Sequence, residues 1–145
     1  MTDRPVREDL FENVLVPIAS IEDAEATCDA LQPHLQRAGG SATVLHVLEK
    51  TEGGIDQVPL EARREDAERM FETLREEYGD RIAEMEMVPG SDVPETIFER
   101  AREMDATGIV FMPREANRFV RWLTGDVALA LITESPVPVL TLPHE

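Results

Sequence analysis

The segment 112–126, reading MPREANRFVRWLTGD, gathers the side chains of this sequence best suited to holding an anion. Arg114, Arg118 and Arg121 outnumber Glu115 and Asp126 there, in a chain whose 30 acidic and 14 basic residues give a formal charge of −16. A guanidinium donates in a planar fork that matches carboxylate and phosphate, so a small anion would find its one local attraction in this stretch. Phe119 and Trp122 lie beside these arginines and offer a flat surface for stacking or for a protein partner. The same residues also fit a plainer arrangement, with both aromatics packed under the loop and the arginines bridging to surface acids. Both readings stand at the level of sequence.

Other chemistry has little support. His34, His46 and His144 are spaced too widely for a metal motif, so no metal site is expected, and His46 within an apolar run reads as a hydrogen-bonded core histidine. There is no GxSxG elbow, no GxxxxGK[ST] loop and no GxGxxG turn, which leaves nucleophilic hydrolysis and dinucleotide binding without a motif. Catalytic residues and a cofactor are therefore not expected. Carboxylate pairs are frequent, but with 30 acids their closeness carries no information. The single cysteine, Cys28, shares helical spacing with Ala24, Leu31 and Leu35 and reads as a small buried apolar group.

The negative charge disfavours electrostatic binding to DNA, RNA or anionic membrane. Lys50 is the one lysine among the 14 basic residues, and low lysine with a large acidic excess is expected of a protein from a salt-rich environment, where screening quiets self-repulsion. No apolar run approaches the ~20 residues of a membrane span, and Met1 to Leu10 lacks a signal-peptide core, so membrane insertion is not expected and the cytoplasm is the expected location.

Short apolar runs alternate with longer amphipathic stretches over the 145 residues, the pattern of one α/β domain with a parallel sheet covered by helices on both faces. Val14 to Ile18 predicts the first strand, and the stripe from Ala24 to Leu35 predicts a helix ended by Gly39-Gly40 and kinked or broken early at Pro33. Residues 42–48 predict a strand buried on both faces, and 49–59 a mobile loop. Ala67, Met70, Phe71, Leu74 and Tyr78 trace the inner face of a second helix whose charged side meets water. An edge strand follows at 82–88, then a helix capped by Asp92, a fourth strand at 108–112, a helix with Val127, Ala130 and Leu131 inward, and a terminal strand at 137–142. Residues 1–11 read as a tail. In such a fold ligands meet the carboxyl ends of the strands, which places the candidate ligand site at Ala19 to Glu22, at Val47 and along 112–126, with Arg114, Arg118, Arg121, Gly125 and Asp126.

The strings NVLVPIA (13–19), LHV (45–47), GSDVPETIFERAREMDATGIVFM (90–112) and GDVALALITESPVPVLTL (125–142), in this order and spacing, resemble the universal stress protein family from Glu12 onward. The resemblance implies an open, Rossmann-like five-stranded sheet in the order 3-2-1-4-5 and a homodimer through the terminal strand, at Val137, Val139, Leu140 and Thr141. Members of that family that bind ATP carry an aspartate at the end of the first strand and a G-x-x-G-(nine residues)-G-[S/T] motif after the fourth. Laid onto this chain, the aspartate position is Ala19, the first two glycines are Met112 and Glu115, the third is retained as Gly125, and the hydroxyl position is Asp126. Glycines let backbone N–H groups approach phosphate, and carboxylates repel it. The resemblance thus implies a regulatory or interaction module with an unidentified protein partner and without ATP. The alternative is a stress sensor, or a weak ATPase, that takes a nucleotide or another anion at 112–126.

Overall fold

A computed structural model describes residues 10–49, 60–79, 81–112 and 125–143. The expected mobile loop, apart from Glu49, and most of the arginine segment lie outside these residues. Five parallel strands, β1 (Asn13–Ile18), β2 (Ser41–Glu49), β3 (Ile82–Gly90), β4 (Gly108–Phe111) and β5 (Val139–Thr141), stand in the order β3-β2-β1-β4-β5. Helices α1 (Ile21–Ala38), α2 (Leu60–Tyr78), α3 (Val93–Glu103) and α4 (Gly125–Glu134) connect them. Among the described residues no helix is long and apolar enough to cross a membrane.

The period-2 alternation of the strands divides the core in two. Val14, Val16, Ile18, Ala42 and Val44 join the inner stripes of α1 and α2, whereas Leu15, Leu45, Val47, Ile109 and Phe111 join those of α3 and α4. The sheet is therefore covered on both faces, and β2 is apolar almost throughout because both of its faces meet helices. Cys28 is buried in the α1 stripe. Burial first, and then the carboxylates of Asp29, Asp23, Glu77 and Glu25, push its thiol up to about 12. The thiolate is the reactive form, so Cys28 in the native protein should resist a disulfide reagent at pH 8 and react promptly in urea. Rapid native labelling would show that α1 opens or packs differently.

Two sequence expectations need correction. Helix α1 runs without a break from Ile21 to Ala38 through Pro33. The proline ring lies on the exposed side, while Leu31 and Leu35 on either side of it are buried. Burying a leucine is worth about 1.5–3 kcal/mol, so the two together offset the roughly 3 kcal/mol that proline costs inside a helix. The last strand begins at Val139, two residues later than the apolar run indicates. Ser135 Oγ donates to the carbonyl of Val137 at 2.7 Å and accepts from its N–H at 3.1 Å, a local turn that removes Val137 from the ladder.

The β1–β4 ladder holds only Val14 with Gly108 and Leu15 with Ile109, although β1 pairs with β2 along its whole length. Above Leu15 the two central strands part. This is the point where strand order reverses, the place at which ligands meet such sheets.

Candidate functional site

The turn from β1 into α1 forms one wall of the crevice. Ser20 caps the helix in extended conformation (φ −151°, ψ 167°), its hydroxyl accepting the N–H of Asp23 at 3.1 Å. The Asp23 carboxylate reaches back to accept the N–H of Ala19 at 3.0 Å, so Ser20 satisfies a donor left open by the start of the helix and Asp23 one in the turn just ahead of it. Asp23 is fully buried, and Thr27 Oγ1 donates to its carbonyl oxygen at 2.7 Å. The carboxylate also lies at the positive end of α1, where a negative charge is favoured. Sequence reading missed this residue, yet the spacing Ser20-x-x-Asp23 ahead of an apolar stripe was the available signal.

The end of β2 forms the floor. His46 Nδ1 lies 3.0 Å from the carbonyl oxygen of Ile18, and because a carbonyl can only accept, Nδ1 carries the proton and Nε2 is left as an acceptor. Burial lowers the imidazole's affinity for a second proton; the Ile18 hydrogen bond opposes this and the Arg63 guanidinium adds to it. His46 is thus the hydrogen-bonded histidine expected from sequence, but it also lines a cavity. Ala19, Ser20, Ile21, His46, Val47 and Leu48 enclose a volume of about 550 Å³ together with residues of α2 from Arg63 to Thr73. Arg69 pairs with Asp66 along the outer side of that helix.

Among the sequence-predicted ligand residues, Ala19 and Val47 come together in this cavity, half-buried and buried respectively. Gly125 and Asp126 open α4 on the other side of the switch point, with Asp126 exposed in the first turn. Arg114, Arg118 and Arg121 lie outside the described residues. Met112 is 3% exposed and built into the core beneath α1. Sequence reading assigned the charged side of α2 to solvent, and so missed that Arg63 and Arg69 border the cavity. Periodicity separates an inner from an outer face, but it does not show which outer residues overhang the end of a sheet.

For the candidate interface, β5 closes one edge of the sheet and pairs only with β4. Val137 and Val139 pack toward α3 and α4, Leu140 toward α1, and Thr141 is exposed. Leu129 and Ile132 on α4 are exposed large apolar residues. Among the described residues no group of His, Cys, Asp and Glu is placed to hold a metal ion.

Comparison with known proteins gives a consistent picture. A protein from the universal stress protein family of Burkholderia pseudomallei supplies a solved structure with a TM-score of 0.70 at 23% identity, covering 94% of this chain and 98% of its own. The universal stress protein UspA from Lactobacillus plantarum gives 0.72 at 20% identity, covering 91% and 97%. A universal stress protein from Archaeoglobus fulgidus, solved in complex with dAMP, gives 0.60 at 19% identity, covering 92% and 99%. No curated protein sequence matches the chain. At these identities the structures speak for the fold, and that fold has the strand order found here. The sequence pattern of the Universal stress protein family matches residues 10–143, which takes in every strand and helix described above. The chain belongs to the universal stress protein family.

Proposed function

We propose that this member of the family is a homodimeric regulatory or interaction module, without enzymatic activity, that does not take ATP in the manner of the nucleotide-binding members. The burial of Met112 carries the reading. A position at which those members use glycine to bring backbone close to phosphate is here a core position, 3% exposed, whose side chain packs beneath α1. Two further features support it. Ala19 brings no carboxylate to the crevice, and its N–H is taken by the buried Asp23. Asp126 puts a negative charge in the first turn of α4, the end of a helix that would otherwise attract an anion.

The dAMP complex of the Archaeoglobus relative favours the second reading, a nucleotide- or anion-binding sensor using 112–126. Native mass spectrometry after incubation with ATP and Mg²⁺ separates the two. The proposed module gives a dimer carrying no nucleotide; a dimer with one nucleotide per subunit identifies the sensor.

The proposed dimer joins two β5 edges about a two-fold axis. Val139 and Leu140 each belong to a core cluster, so a charge at either would act on the fold as well as on the seam. Thr141 is exposed and suits a cleaner test. Thr141→Asp brings like charges together across the axis, and light scattering should show monomers at concentrations where the parent protein is dimeric, with an unchanged circular dichroism spectrum. A persistent dimer would mean that β5 is not the seam.

A further inference from the structure

Among the described residues, the first three helices turn carboxylates to solvent along their length: Glu22 and Asp29 on α1, Glu65 and Glu72 on α2, Glu95 and Glu99 on α3. Helix α4 carries no charge between Asp126 and Glu134, and Leu129 and Ile132 on it are 59% and 53% exposed. Leu131 is buried on the opposite side, so α4 is apolar nearly all round, the composition of a helix that is covered on its outer side as well. The fold fixes where these two residues point. A right-handed crossover from β4 to β5, with a turn of about 100° per residue from the inward Leu131, sets both on the flank of α4 that overlooks the β5 edge, away from α3.

We propose that the flank formed by Leu129 and Ile132 is buried against α4 of a second copy beside the β5 seam, and that this contact, more than strand pairing, holds the dimer together. The inference rests on the β5 dimer proposed above and deepens it. Strand β5 has three residues, Val139–Thr141, whereas a stable interface takes about 20–30 residues a side. A two-fold axis normal to the sheet between paired β5 edges leaves both α4 helices on the same face of the joined sheet. With strands about 4.8 Å apart, two helices that each lie over their own β4–β5 pair come about 10 Å from axis to axis, the distance at which helices pack. Charge selects the occupant as well. Two chains of formal charge −16 repel wherever acidic faces meet, and an uncharged apolar flank is where a second copy can approach most closely.

Leu129→Gln combined with Ile132→Gln removes the apolar contact at exposed helix positions and should leave the circular dichroism spectrum unchanged. Sedimentation equilibrium of this variant should show a dimer dissociation constant at least about a hundredfold above that of the parent protein. Thr141→Asp, measured beside it, separates the two claims. Loss of the dimer in both variants is the expected result. An unchanged constant in the glutamine variant, with monomers from Thr141→Asp, would overturn this inference and leave the β5 seam standing. Unchanged dimers in both variants, or a monomeric parent protein, would overturn seam and inference together. Monomers from the glutamine variant alone would overturn the shared seam, with α4 meeting its copy elsewhere than beside β5. If the double variant fails to fold, Leu129→Gln alone decides.

Discussion

Replacing Met112 with glycine should cost the fold about 3–5 kcal/mol, although it restores the residue that nucleotide-binding relatives carry at this position. Met112 is 3% exposed and shares its cluster with residues of α1, β1 and β5. Truncating a buried methionine to alanine typically costs about 2–5 kcal/mol through lost burial and the cavity left behind. Glycine adds roughly 0.5–1 kcal/mol of backbone entropy. Urea unfolding should show the transition midpoint falling steeply at constant slope. Asp126→Ser, at an exposed first-turn position, should change stability by less than about 1 kcal/mol. A cost below about 1 kcal/mol for Met112→Gly would remove the packing argument on which the proposed function rests. The functional consequence is direct. In this chain the first glycine of the motif cannot return without loss of core, so a gain of nucleotide binding is better sought through Ala19→Asp, Glu115→Gly and Asp126→Ser with Met112 kept.

Gly40→Ala should be comparably severe, with a loss of at least about 3 kcal/mol, while Gly39→Ala next to it should lose only about 1–2 kcal/mol. The two glycines end α1 together. Gly39 takes the left-handed conformation (φ 66°) and donates to the carbonyl of Gln36 at 3.3 Å, and Gly40 donates to that of Leu35 at 3.0 Å, the paired bonds of a Schellman ending. Their demands differ. A side chain on Gly39 would meet nothing within 4 Å, so alanine pays only for its conformation. A Cβ on Gly40 would lie 1.9 Å from the carbonyl oxygen of Phe11, 2.8 Å from its carbonyl carbon and 2.9 Å from Glu12 Cα. All three are backbone atoms at the entry to β1, so relief requires moving the strand. Thermal unfolding of the two variants side by side checks the order. Equal melting temperatures would show that the contact with Phe11 yields easily.

That pair also shows what could be read from sequence and what could not. Gly39-Gly40 after an apolar stripe marks the end of a helix, as the alternation of strand and helix periods marks the sheet. The Asp92 cap was legible for the same reason, and the Asp92 side chain accepts the N–H of Glu95 at 3.1 Å. These signals are local, and local geometry decides them. Pro33 misled because its cost is local while the packing that outweighs it comes from the sheet beneath Leu31 and Leu35. Val137 misled because an apolar residue followed by Pro138 looks like strand, whereas the Ser135 hydroxyl holds it in a turn.

For the site, Ala19 and Val47 could be placed at strand ends because topology alone determines where the crevice opens. The burial of Asp23 could not be anticipated, since a carboxylate in the first turn of a helix is ordinarily solvated, whereas here it reaches back to accept the N–H of Ala19. Arg63 and Arg69 escaped for a related reason. They belong to a charged helix face, and only the crossing of α2 over the end of β2 brings them to a cavity.

The reading of this protein as a universal stress protein without ATP is tested most directly by calorimetric titration of the protein with ATP, with and without Mg²⁺. No saturable heat is expected in either titration up to the highest workable nucleotide concentration. A micromolar dissociation constant in either would make the protein a nucleotide-binding member of the family.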